Sequence, residues 1–215
     1  MPIFLRLLVF AVLASFMDVS FAEGNANVGK QKAAPCASCH GANGNSASPM
    51  FPRLAGQHIR YLVTQLNAFK TKIRPNEMMQ AMASGLSEQD IEDISAYYVK
   101  QKPKFTSDEE QFIDEDEEIL VTPKLILEGK ILYRGGNANT GVAACIACHG
   151  PTGRGNEPAG FPVLTGQHAA YIAEALLDFS SGERNNDMSA MMQMIARKMT
   201  REEINAVSAY ISSIR

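Results

Sequence analysis

Apolar residues recur at three- and four-residue steps through 88–100 (Ile91, Ile94, Tyr97) and again through 201–213 (Ile204, Val207, Tyr210), the spacing of one face of an α-helix. Ser87 and Thr200 precede these stretches as candidate N-caps, with Asp90 and Glu203 three residues on to complete a capping box. A second amphipathic pattern, Leu62, Leu66 and Phe69, recurs as Ile172, Leu176 and Phe179. It predicts helices starting near Gln57 and near Gln167. Shorter helices are expected over 25–34 and 123–133. No strand-like alternation of useful length occurs. The pattern is all-α, with three helices per unit joined by long loops rich in Gly and Pro.

The recurrence is a duplication. "FPRLAGQH" at 51–58 returns as "FPVLTGQH" at 161–168, an offset of 110, and "MMQ" at 78–80 returns at 191–193, an offset of 113. Two copies are too few for a solenoid, so the repeat reads as two similar domains. Between them "SDEEQFIDEDEEILVTP" at 107–123 is dense in carboxylates and reads as a solvated connection. The expected divisions are a signal peptide at 1–22, an N-terminal domain at 23–106, an acidic linker at 107–122 and a C-terminal domain at 123–215. Domains this short have little apolar surface to bury and lean on a staple, metal or other insert.

Composition narrows the setting. With 20 Lys and Arg against 23 Asp and Glu, the chain lacks the basic surplus of a nucleic-acid binder. Its first 22 residues hold Arg6, an apolar run at 7–14 and "SFA" at 20–22, the layout of a secretory signal cleaved after Ala22. The run is shorter than the roughly 20 residues a spanning helix needs, so the mature chain is expected to be exported.

All four cysteines fall in two copies of one motif, "CASCH" at 36–40 and "CIACH" at 145–149. Cysteines three apart on a helical turn face the same side, where two thiols can add to the vinyl groups along one haem edge. The next residue, His40 or His149, then falls beneath the iron. This is the attachment pattern of c-type haem. A disulfide within each pair would suit a thioredoxin-like βαβ unit that is missing here, and a four-thiolate zinc site would have to join two self-contained repeats. Neither accounts for the histidines.

A sixth iron ligand could come from His58 and His168, each in "GQH", or from the methionines, eight of which crowd into 76–87 and 186–200. The histidines stand at predicted helix starts, where a surface or supporting role is usual. The methionine windows lie in the loop before the last helix of each copy, where a side chain can fold over the open face. Methionine opposite histidine raises the potential. Only two columns hold methionine in both copies, Met78/Met191 and Met79/Met192, and the repeat does not choose between them. The proximal histidine's other ring nitrogen should donate to a carbonyl.

"CASCHGANGNSASPMFPRLAGQHIRYL", its second copy, the methionine windows and "LSEQDIEDISAYY" resemble the dihaem cytochrome c4 family, class I c-type cytochromes in tandem. The resemblance covers essentially the whole mature chain. It implies two cytochrome c domains, each a few helices and long loops wrapped around one covalently bound haem, packed with the haem edges close. In that family the methionine ligand lies eight residues before the Ser or Thr opening the last helix, which selects Met79 and Met192. Carried over, Cys36, Cys39 and His40 serve one haem and Cys145, Cys148 and His149 the other; similarity to single-domain cytochromes c implies that the carbonyls of Pro52 and Pro162, 12 and 13 residues beyond the two histidines, accept from their rings. The implied role is a periplasmic electron carrier, not an enzyme. Its partners would be redox proteins such as a membrane cytochrome complex, a terminal oxidase or other periplasmic carriers, with loose peripheral membrane association. The acidic linker would steer a basic partner. Two other readings stand beside it: the cytochrome subunit of a flavocytochrome of the sulfide dehydrogenase type, which shares the duplicated design, and a dihaem peroxidase-like enzyme, which needs one open iron position and two unlike haem environments where the copies are near-equivalent.

Overall fold

The computed structural model describes residues 24–105, 112–114 and 119–215; the expected signal peptide at 1–22 and most of the acidic connection lie outside them. Each half repeats one plan. In the first, α1 (Ala26–Lys32), α2 (Ala37–His40), α3 (Ile59–Lys70), α4 (Glu77–Ala83) and α5 (Glu88–Val99) follow in order. In the second, α6 (Pro123–Gly135), α7 (Ile146–His149), α8 (Ala169–Ser181), α9 (Met191–Ala196) and α10 (Arg201–Ser213) repeat them, with a 3₁₀ turn (Met188–Ala190) before α9. Both capping boxes form: Ser87 and Thr200 accept from the backbones of Asp90 and Glu203, whose carboxylates accept in return.

The first helix of each half crosses the last, α1 on α5 and α6 on α10. A glycine permits each crossing. A Cβ on Gly29 would stand 1.8 Å from the Asp93 carbonyl oxygen, and one on Gly129 1.8 Å from that of Ala206. The long helices α3 and α8 pack on α5 and α10. Leu62, Ile94, Tyr97 and Tyr98 fill one core, and Leu132, Tyr133, Ile172, Ile204, Val207 and Ile211 are the centre of the other.

Three expectations change. The methionine windows are not loops: α4 and α9 are short helices, begun where Asn76 and Asp187 accept backbone N–H groups of Met79 and Met192. Two turns of helix are too short to show a period. A two-stranded antiparallel hairpin, β1 (Phe112–Asp114) with β2 (Ile119–Leu120), lies within the acidic connection. That connection is not wholly solvated, because Ile113 is 4% exposed in the second core and β1 packs on α8 and α10. Among the described residues no helix is long and apolar enough to cross a membrane.

Candidate functional site

Each C-x-x-C-H motif closes one turn of helix, and the glycine after it leaves that turn with positive φ, 76° at Gly41 and 74° at Gly150. The chain then loops out and back. The carbonyls of Gly44 and Gly153 accept from the N–H groups of Leu54 and Leu164, at 2.8 and 2.7 Å. This closure brings a proline carbonyl to each imidazole. His40 Nδ1 donates to Pro52 at 2.9 Å and His149 Nδ1 to Pro162 at 3.2 Å, the two carbonyls the resemblance implies. Both histidines are buried, and burial holds their pKa below the ordinary value despite these carbonyls. Each ring is therefore neutral, with Nδ1 carrying the proton and Nε2 the lone pair a metal would take.

The thiols are free. Burial pushes the Cys36 thiol up and the Cys145 thiol up to about 11. No three of the described His, Cys, Asp and Glu side chains converge as a metal site, so the four-thiolate alternative is not assembled. What each half holds is two thiols on one turn and a neutral imidazole with one committed nitrogen. That donor set fits a c-type haem.

The two methionine columns differ in placement. Met78 is 55% exposed, whereas Met79 beside it is half-buried. Met191 and Met192 are both half-buried, but only Met192 packs against the second core, with Cys145 and Ile146. The approach to Met192 is strained: Ser189 and Ala190 hold φ of 55° and 54°, a left-handed conformation that costs a side-chain-bearing residue roughly 1–2 kcal/mol.

The glutamines and histidines of the two "GQH" segments join the halves reciprocally. Gln57 donates to the Val163 carbonyl and accepts from the Val163 N–H, both at 2.9 Å. Gln167 does the same to Arg53, at 3.1 and 2.8 Å. His58 Nε2 donates to Arg154 O at 2.8 Å and His168 Nε2 to Ser46 O at 3.1 Å. His168 is only 5% exposed, and burial together with the Arg53 charge lowers its pKa to about 4. Arg53 also donates to the Gly166 carbonyl.

A second reciprocal set escaped the sequence reading. Arg74 donates to Tyr171 Oη at 3.1 Å and Arg184 to Tyr61 Oη at 2.8 Å. Both pairs obey the 110-residue offset, a signal within reach once the polar columns of the repeat are aligned along with the apolar ones.

Comparison with known proteins is consistent across the chain. The sequence profile of the family described as Cytochrome c matches twice, at 26–102 and 129–215. Cytochrome c4 of Pseudomonas aeruginosa is 41% identical over 211 residues, covering 97% of this chain and 98% of its own. A thiosulfate dehydrogenase electron acceptor of Thiomonas intermedia is 34% identical over 183 residues, 85% of this chain and 79% of its own. Among solved structures, reduced recombinant cytochrome c4 from Pseudomonas stutzeri superposes with a TM-score of 0.80 at 40% identity, covering 89% of this chain and all of that one.

Proposed function

The chain belongs to the cytochrome c family, in its dihaem cytochrome c4 branch, as a carrier of electrons with two covalently bound c-type haems, and from that premise we propose how it holds them and where it works. Cys36 and Cys39 would bond the first haem covalently, and His40 and Met79 would ligate its iron. Cys145, Cys148, His149 and Met192 would do the same for the second. The haem supplies the one-electron couple; the chain fixes ligands, excludes water and sets the potential. The observation that carries this is the repeated imidazole geometry, a buried neutral ring oriented by a proline carbonyl in both halves.

The domains run over 23–106 and 123–215 after removal of 1–22, and the mature protein works in the periplasm. It passes electrons from a membrane cytochrome complex toward a terminal oxidase, with both irons closed to substrate. A second reading, acceptor of electrons from a thiosulfate-oxidising enzyme, is favoured by the relative of that name.

Optical spectra of the ferric protein test the ligand set. Met79→Ala should remove half of the sulfur-to-iron charge-transfer band and Met192→Ala the other half, while Met78→Ala and Met191→Ala leave it whole. A full band in either of the first two variants defeats the assignment.

A further inference from the structure

Each half stacks a pair of tyrosines, Tyr97 with Tyr98 at 5.1 Å between ring centres and Tyr133 with Tyr210 at 5.2 Å. Tyr97 and Tyr210 are counterparts at the 113-residue offset. Their partners are not. Tyr98 comes from α5, where α10 has Ile211, whereas Tyr133 comes from α6. The matching contacts of Gly29 and Gly129 place Ala33 at the position of Tyr133 in the first half. One copy thus sets the large ring on its last helix beside a small residue closing the first; the other sets it on its first helix.

The exchange changes what the hydroxyl can reach. Tyr133 Oη donates to the Gly150 carbonyl at 2.7 Å. In the first half Tyr97 takes that part, donating to the Ala42 carbonyl at 2.8 Å, and Tyr98 Oη is buried with no hydrogen-bond partner among the described residues. Its ring is held in place, since a Cβ on Gly44 would stand 2.8 Å from Tyr98 Cδ1. The Gly44 carbonyl already accepts from the N–H groups of Leu54 and Ala55, at 2.8 and 3.0 Å, which fills both lone pairs. Cys36 packs on the same cluster as Tyr98. Burial raises the Cys36 thiol pKa and the nearby Tyr98 hydroxyl opposes the rise. A buried O–H without an acceptor is costly, and the Cys36 sulfur is the acceptor these contacts leave open.

We propose that Tyr98 tunes the first haem alone: its hydroxyl donates to the sulfur that joins Cys36 to that haem and raises its reduction potential. The proposal rests on the covalent attachment read above and adds to it a difference between the two haems. A donated O–H turns the positive end of its dipole toward the porphyrin edge, which favours the more electron-rich ferrous state. Hydrogen bonding around a haem is one of the protein's levers on potential. In the second half the phenol packed in the cluster with Cys145 is Tyr133, and its proton is committed to Gly150. Tyr98 acts through the sulfur, not through an iron ligand.

Spectroelectrochemical titration of the purified holoprotein carrying Tyr98→Phe, which keeps the ring, tests it. The first haem's reduction equilibrium should fall roughly threefold, or about 28 mV for a one-electron couple, with the second unmoved. The Met79 charge-transfer band, followed in a Met192→Ala background, reports the first haem, and the Met192 band in Met79→Ala reports the second. A further measurement needs no variant. Resonance Raman of the wild-type holoprotein should show a thioether C–S band that shifts in D2O, and Tyr98→Phe should abolish that shift. A C–S band indifferent to D2O, unmoved potentials, or equal movement of both haems would overturn the donation. Both covalent haems and both charge-transfer bands persist in Tyr98→Phe, so such a failure is distinct from failure of the haem reading.

Discussion

Where α1 crosses α5, Lys32 reaches Asp90 at 2.5 Å and Asp93 at 2.9 Å, and Asp93 also accepts from Asn25 and Gln89. Where α6 crosses α10, Leu132 and Ala206 fill the equivalent space and are buried. Among the described residues the first half buries fewer apolar side chains than the second, and the ionic set secures its crossing where apolar contact secures the other. One backbone plan thus tolerates two kinds of cement, because the glycine contact sets the crossing and the side chains around it only secure it.

The glycines offer the strongest way to break the comparison. Gly29→Ala and Gly129→Ala both drive a methyl into a carbonyl oxygen, and each should cost about 3 kcal/mol, the upper end for overpacking. Thermal unfolding followed at the haem bands should show equal losses despite the unlike surroundings. Unequal losses would mean that the cement, not the contact, fixes the crossing.

Acid should separate the halves in two stages. His168 has its folded pKa lowered from 6.5 to about 4, so an unfolded or parted chain binds the proton first. Stability of the domain boundary is present above pH 6.5 and drains as pH falls toward 4, by roughly 2–3 kcal/mol in total. Asp90 and Asp93 are likewise depressed below the ordinary 3.8, chiefly by their hydrogen bonds to Lys32. Their contribution holds above that value and fades only below it, in the first half alone. A pH series of melts, with His168→Gln for comparison, reads the first stage; Lys32→Met should abolish the second.

The smallest effects concern the methionine helices. Asp187 holds the start of α9 through Met192 N at 2.7 Å, Gln193 N at 3.2 Å and Gln193 Nε2 at 2.8 Å, where Asn76 gives α4 one such bond at 2.9 Å. Asp187→Ala should cost about 1 kcal/mol and Asn76→Ala somewhat less. Ser189→Gly, relieving the left-handed turn, should gain roughly 0.5–1 kcal/mol. Displacement of the methionine ligands by imidazole, followed optically, would register each change in its own half.

Much of this was legible beforehand. The long helices, both capping boxes and the haem motifs follow from spacing, because each is a local consequence of period, whereas the proline carbonyls came with the resemblance to cytochromes c. The roles of His58 and His168 did not. A histidine at a helix start has many fates, and only the second domain's backbone turns these two into cross-domain donors. Arg74 and Tyr171 lie 97 residues apart, beyond the reach of any local pattern. Ile113 hid for another reason: its carboxylate-rich neighbours masked one apolar side chain that the second core claims.

The reciprocal glutamine contacts make the domain boundary isologous, each surface fitting a copy of itself. The first half bears Gln57, Tyr61, Gln65 and Arg74, nearly everything such a boundary uses, and severed from the second it should form a homodimer. The second has Ala175 where the first has Gln65, so two of its copies would bring two guanidiniums together with no amide between them. The tether thus holds together one surface that can meet its own copy and one that cannot.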